Sequence, residues 1–77
     1  MSKAYVKIWV EPGMEQAVRE ALLDNKEVKT ADITSGEQDI VSLVESKDYE
    51  TLMRLIVNHL RDIKGIVRSS TNLVIEM

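Results

Sequence analysis

The sequence has no cysteine and only one proline, one histidine and one tryptophan among its 77 residues. The lack of cysteine excludes disulfides, thiolate metal sites and thiol nucleophiles. No apolar run approaches the ~20 residues that a membrane-spanning helix needs. Charged residues within the apolar stretch of 1–7 argue against a signal peptide. We therefore expect a cytoplasmic protein with no membrane partner.

Charge of neither sign is concentrated along the chain. Ten basic and thirteen acidic residues give a formal net charge of −3, and the two kinds are interleaved. A protein that depends on phosphate contacts usually carries a basic stripe, so we expect no direct contact with nucleic acid. The 44% hydrophobic content is ordinary for a single globular domain over 1–77. At this length, without disulfides, self-association would add stability.

Hydrophobic periodicity predicts six elements. They are a strand over 4–10, a helical stripe from Met14 to Leu22, a strand over 28–34, a strand over 40–45, a second helix after Ser46, and a strand over 66–76. Two halves, 4–34 and 38–76, thus repeat strand–helix–strand. This order predicts an α+β fold, the ferredoxin-like β-α-β-β-α-β sandwich. Right-handed crossovers place both helices on one face of a four-stranded antiparallel sheet.

The helices are predicted from stripes of apolar residues at helical spacing. The first stripe consists of Met14, Ala17, Val18, Ala21 and Leu22. The second consists of Tyr49, Leu52, Met53, Ile56, Leu60 and Ile63. Ser46 is the expected N-cap of the second helix, and Gly65 is expected to end it as the C′ glycine.

The sheet face opposite the helices has no partner within the predicted fold. Strand 4–10 directs Tyr5 and Trp9 to that face. Aromatic residues concentrate at protein interfaces, so the two side chains predict a homodimer interface. The alternative is that Trp9 curls over an edge of the sheet and stays half exposed.

Residues for catalysis or metal binding are few. His59 is the only histidine, and no second histidine or cysteine can complete a zinc site. Nothing places a serine on a nucleophile elbow. We expect no enzymatic activity, no metal and no cofactor.

Three segments carry a resemblance to a known family. The segment 34–45, Thr-Ser-Gly-Glu-Gln-Asp-Ile-Val-Ser-Leu-Val-Glu, resembles the Thr-Gly-x-x-Asp-aliphatic signature of the Lrp/AsnC ligand-binding domain, also called the RAM domain. The opening strand with Glu11-Pro12-Gly13, and the ending over 63–75, are similar to the same family. The chain resembles the stand-alone form of this domain, without a helix-turn-helix.

The resemblance implies a role as an amino acid effector-binding and oligomerisation module related to transcription regulators. Such domains form dimers through their sheets and assemble into octamers or decamers, with the effector between neighbouring dimers. The effector-binding residues implied here are Gly36, Glu37, Gln38, Asp39, Ser69 and Thr71. Ser69 replaces a threonine usual in the family, and Ser35 separates Thr34 from Gly36. The resemblance also implies co-assembly with a full-length Lrp/AsnC regulator.

The chemistry of these residues suits a zwitterion. Asp39 can accept from an ammonium group, and N–H groups of a glycine turn can donate to a carboxylate. Each residue also has an interpretation that involves no ligand. Gly36 can permit a positive φ, and Asp39 can hydrogen-bond the backbone of its own turn. The Ser69 and Thr71 hydroxyls can simply lie exposed on an edge strand.

Two other functions remain open at this point. One is an assembly module that binds no small molecule. The other is an enzyme of the dimeric α+β barrel type, which would be favoured by a pocket between helices and sheet that holds His59. The sequence does not name the effector.

Overall fold

Six elements follow one another in the predicted order. A computed structural model describes residues 1–76. The elements are β1 (Ser2–Val10), α1 (Glu15–Leu23), β2 (Val28–Ile33), β3 (Ile40–Ser46), α2 (Tyr49–Arg61) and β4 (Ile66–Leu73). The predicted ferredoxin-like order is confirmed, although the last strand ends at Leu73 rather than at residue 76.

The four strands form one antiparallel sheet in the order β2-β3-β1-β4. The two central strands, β1 and β3, alternate fully buried residues with more exposed ones, as expected for antiparallel strands with one face on the core. Tyr5 lies opposite Leu43 on β3 and Asn72 on β4. Because directly opposed residues of antiparallel strands share a face, this register fixes which side chains face the helices.

The core lies between the helices and one face of the sheet. Alternate residues of β1 are buried there, namely Ala4, Val6, Ile8 and Val10. The helices contribute Val18, Leu22, Leu52, Ile56 and Leu60. Burying one large aliphatic side chain contributes roughly 1.5–3 kcal/mol. Among residues 1–76, no element covers the other sheet face.

Three predictions about the helices are wrong in detail. Tyr49 is 55% exposed, because it is the first residue of α2 and precedes the turns that pack on the sheet. Ala17 is exposed as well, so only the Val18 and Leu22 side of α1 is buried. The N-cap of α2 is Asp48, not Ser46: β3 remains paired through Ser46, and the Asp48 carboxylate accepts from the Thr51 N–H at 2.7 Å.

Gly65 does not end α2 as predicted. Asp62 is the C-cap, and Gly65 lies in the connection to β4 with a φ of 105°. A Cβ atom there would lie 3.0 Å from Met14 Cε and 3.0 Å from Val18 Cγ2. The glycine therefore serves both a left-handed backbone and a close approach to α1.

Candidate functional site

The connection between β2 and β3 is closed by hydrogen bonds at its base. The Thr34 N–H donates to the Asp39 carbonyl at 2.9 Å. The Thr34 hydroxyl donates to the Gln38 carbonyl at 3.0 Å, and the Gln38 side-chain amide donates back to that hydroxyl at 3.3 Å. These bonds define residues 35–39 as a compact loop, which we call the β2–β3 turn.

Asp39 links the β2–β3 turn to the end of β1 by two hydrogen bonds. Its N–H donates to the Ile8 carbonyl at 3.0 Å, and its Oδ2 accepts from the Val10 N–H at 2.8 Å. Asp39 thus bonds a neighbouring strand rather than only its own turn. Oδ1 accepts from no other described residue, so one carboxylate oxygen remains available to a ligand.

Consecutive N–H groups of the β2–β3 turn are also available. Those of Gly36, Glu37 and Gln38 donate to no other group among residues 1–76. Gly36 does not have a positive φ, since Gly13 and Gly65 alone do so within the described chain. The interpretation that Gly36 serves to permit a positive φ is therefore wrong. The turn thus has several main-chain donors and one carboxylate oxygen without partners in the described chain.

Trp9 connects the β2–β3 turn to the last strand. Its indole Nε1 donates to the Glu37 carbonyl at 3.0 Å. The Arg68 guanidinium carbon lies 4.5 Å from the centre of the same indole ring, within the range of a cation–π interaction. Sequence reasoning missed Arg68, because only the strand register, which opposes Trp9 and Arg68, brings them together.

Ser69 and Thr71 lie apart from the β2–β3 turn within one chain. They oppose Ile8 and Val6 of β1 and so face the helix side of the sheet. Ile40, the first residue after the turn, opposes Ile8 from the other side. Ser69 and Ile40 are thus about 10 Å apart, two interstrand spacings. Ser69 lines a groove of about 400 Å³ between α2 and β4 that contains no residue of the turn.

The uncovered sheet face has an apolar centre and a charged margin. Tyr5 is 48% exposed there, and Val41 and Leu43 of β3 are half-buried. Lys3 and Glu45 form an ion pair of 3.6 Å toward one end. We call this surface, centred on Tyr5, Trp9, Val41 and Leu43, the open face. Trp9 belongs to a central strand rather than to an edge strand, and in the single chain it stays partly exposed, as the alternative interpretation expected.

His59 lies in a second groove, of about 360 Å³. Helix α2 and its C-cap line this groove together with Asn25 and Glu27, and none of the lining residues belongs to a strand. It therefore differs from the pocket between helices and sheet that would favour an enzyme. Across residues 1–76, no group of three or more His, Cys, Asp or Glu side chains is placed to hold a metal ion. Within the same range, no helix is long and apolar enough to cross a membrane.

Comparison with protein families gives one match. The sequence profile of the Lrp/AsnC ligand binding domain matches residues 3–77. The structure is similar to that of a hypothetical protein from Pyrococcus horikoshii, with 31% identity and a TM-score of 0.93, over 100% of this chain and 93% of that chain. Curated protein sequences give no significant match.

Two more distant structures share the fold. Escherichia coli AsnC has 19% identity and a TM-score of 0.90, over 99% of this chain and 52% of that chain. A transcriptional regulator from Neisseria meningitidis, solved in complex with L-Met, has 13% identity and a TM-score of 0.83, over 97% of this chain and 50% of that chain. The chain thus spans about half the length of these two proteins.

Proposed function

This chain belongs to the family of Lrp/AsnC ligand-binding domains, and we propose that it is a non-enzymatic module that binds an amino acid effector and forms homo-oligomers. The observation that carries the proposal is the β2–β3 turn. Its residues 36–38 have N–H groups with no acceptor among residues 1–76, and Asp39, which follows them in the chain, has one oxygen with no donor there. Donors and an acceptor within four consecutive residues suit a molecule that carries a carboxylate and an ammonium group.

The assignment of groups follows from their charge. The Asp39 Oδ1 atom accepts from the effector ammonium, while Oδ2 keeps its hydrogen bond to the Val10 N–H. The main-chain N–H groups donate to the effector carboxylate, as successive N–H groups do in anion-binding nests. Hydrogen bonds to charged groups are about twice as strong as neutral ones. The complex with L-Met of the Neisseria meningitidis regulator, which shares the fold, supports an amino acid as the ligand class.

In our proposal, the hydroxyls of Ser69 and Thr71 contact an effector that is bound at the turn of a neighbouring chain. Within one chain they face the helix side of the sheet, across β1 from the turn. A site that uses both sets of residues is therefore shared, with the turn from one copy and β4 from another. This makes effector binding dependent on assembly.

The open face is the proposed dimer interface. Tyr5 and Leu43 are directly opposed at its centre, and the Lys3–Glu45 ion pair lies at its margin. An apolar centre with a polar rim is typical of protein interfaces. In our proposal the dimers assemble further into octamers or decamers and co-assemble with a full-length regulator. Contact with DNA then belongs to that regulator, because both helices of the described chain pack on the sheet.

A thermal-shift screen tests effector binding. The purified chain is heated with each proteinogenic amino acid at millimolar concentration, and the midpoint of unfolding is compared with that of the free protein. A ligand at 100 times its dissociation constant stabilises the folded state by about 2.7 kcal/mol, which is a shift of several degrees for a chain of this size. A shift with one or a few amino acids is expected.

An assembly module without a ligand is the second candidate, because the open face accounts for association without any effector. It predicts a ring-sized particle in light scattering and no thermal shift with any amino acid. That pair of results would replace effector binding with assembly alone.

A further inference from the structure

The groove that contains His59 lies on the helix layer, far from the β2–β3 turn. One wall is helix α2, and the other is the connection 25–27 between α1 and β2. Glu27 of this connection accepts from the Ser46 hydroxyl at 2.8 Å and thus lies at the C-terminal end of β3. The turn precedes the other end of the same seven-residue strand. Seven residues span about 20 Å, so the groove and the turn are separate places.

Helix α2 lines the groove with one polar stripe. Arg54, Asn58 and Asp62 follow one another at intervals of four residues and therefore share a helix face. Among the described residues, the Arg54 guanidinium forms no ion pair within 4.0 Å. The groove thus offers a free cation on the helix, together with an amide that can donate and accept.

Carboxylates complete the polar set. Glu27 lies on the wall opposite α2, and Asp62 lies at the far end of the stripe. A phosphate or another multiply charged anion would be repelled by these two groups, since like charges at close range are unfavourable. A molecule with both charges finds a partner for each, the guanidinium for its carboxylate and Glu27 or Asp62 for its ammonium.

His59 gives the groove a hydrogen-bonding group that is not used within the chain. Its Nε2 atom is buried and has no hydrogen-bond partner among residues 1–76. Buried polar atoms of this kind are uncommon in native proteins. His59 lines the groove but its Nε2 atom is closed to solvent, so in this proposal the imidazole turns toward the groove when a ligand bonds Nε2.

We propose that this groove is a second small-molecule site, distinct from the β2–β3 turn, and that it takes a compact molecule with one carboxylate and one ammonium group. Its volume of about 360 Å³ is at the lower end of the ~300–1,000 Å³ range of ligand pockets. All groups that it uses come from one chain. Binding there therefore does not depend on assembly, unlike the shared site proposed above.

The test uses the full chain with Asp39→Asn, which removes the charge of the turn site. This protein is dialysed to equilibrium against an equimolar mixture of the proteinogenic amino acids, and the amino acids retained with it are separated by chromatography. The measurement is repeated on two double variants, in which the Asp39→Asn chain also carries either Arg54→Gln or, as the matched control, Arg61→Gln. Both arginines are exposed on α2, but Arg61 does not line this groove.

The Asp39→Asn chain is expected to retain at least one amino acid saturably. Arg54→Gln should weaken that binding about tenfold or more, the loss typical of one charge-assisted hydrogen bond, and Arg61→Gln should leave it unchanged. No saturable retention, or equal effects of the two substitutions, would overturn the proposal. Competition by acetate as strong as that by the retained amino acid would also overturn it, because the site would then recognise only an anion.

The histidine is tested separately. His59→Phe keeps a ring of similar shape and removes the unpartnered nitrogen. Weaker retention with an unchanged or higher midpoint of thermal unfolding is expected, whereas unchanged retention would contradict a role for His59. A separate comparison tests the effector site proposed at the β2–β3 turn. If the Asp39→Asn chain and the natural sequence bind amino acids equally, that site is contradicted, whatever the result for the groove.

Discussion

The Trp9 indole donates a hydrogen bond of 3.0 Å from Nε1 to the main-chain carbonyl of Glu37. Because Trp9 also belongs to the open face, one side chain touches both the proposed dimer interface and the β2–β3 turn. The Arg68 guanidinium over the same ring extends this contact to β4. Dimerisation and effector binding are therefore expected to influence each other through the indole.

Trp9→Phe tests this link, because phenylalanine keeps an aromatic ring beside Arg68 and removes the N–H donor. The loss of one neutral hydrogen bond should lower the free energy of unfolding by about 1 kcal/mol. Hydrogen exchange at the Thr34 and Asp39 amides, which are hydrogen-bonded at the base of the turn, should become faster, while exchange in β3 should change little. Equal exchange in both proteins would show that the indole does not hold the turn.

Asp39 has two separable roles, which two substitutions distinguish. Asp39→Ala leaves the Val10 N–H without its acceptor and should cost about 1–3 kcal/mol of stability. Asp39→Asn keeps an oxygen acceptor for Val10 and should leave the thermal midpoint near that of the natural sequence, although it weakens effector binding. Chemical denaturation measures the stability of each variant. Equal stability of both variants would argue against the hydrogen bond to Val10.

The open face is tested with a matched pair of tyrosines. Tyr5 is 48% exposed at the centre of the open face, and Tyr49 is 55% exposed on the helix side. Tyr5→Asp places a charge in the proposed interface and should yield monomers in light scattering. Tyr49→Asp should leave the oligomer intact. Dissociation by both substitutions, or by neither, would contradict the proposed interface.

Alanine substitutions at Gly13 and Gly65 distinguish the cost of a left-handed backbone from the cost of a steric contact. Both have a positive φ, but a Cβ atom at Gly13 meets nothing within 4 Å, whereas one at Gly65 lies 3.0 Å from Met14 and Val18 atoms. Gly13→Ala should cost about 1–2 kcal/mol for the left-handed backbone alone. Gly65→Ala adds overpacking of roughly 1–3 kcal/mol. Urea unfolding measures the difference, and equal losses would argue against the close approach of α1.

Asp48 makes the stability of α2 depend on pH. The Thr51 N–H that donates to its carboxylate holds the pKa of Asp48 below the usual value of 3.8. A lowered pKa in the folded state adds stability that is present above pH 3.8 and is lost as the pH falls through the folded pKa. The thermal midpoint of the natural sequence should therefore exceed that of Asp48→Asn at neutral pH, and the gap should narrow below pH 3.8. Parallel pH profiles would contradict this account.

The order of elements could be predicted because periodicity and sheet topology depend on local patterns. The alternation of Ala4, Val6, Ile8 and Val10 is enough to place the buried face of β1. The helix boundaries were harder to predict from the sequence. Ser46 and Asp48 are both good N-cap residues, and only the pairing of β3 through Ser46 decides between them.

The turn could be located from sequence, but its attachments could not. Residues 34–39 are contiguous, so the pattern alone identifies them. The hydrogen bonds of Trp9 and Val10 to the turn join residues 28 and 29 positions apart and depend on register. Arg68 was missed for the same reason. Ser69 and Thr71 share one face of β4, yet within a single chain β1 lies between them and the strand that follows the turn.

The role of Asp39 in effector binding is tested most directly by calorimetry, in which the amino acid that gives the largest thermal shift is titrated into the natural sequence and into Asp39→Asn. Saturable binding to the natural sequence is expected, and binding to the variant should be weakened about tenfold or more, since one charge-assisted hydrogen bond to the ammonium is lost. Equal affinities for two equally stable proteins would contradict the assignment of Asp39 to the effector site.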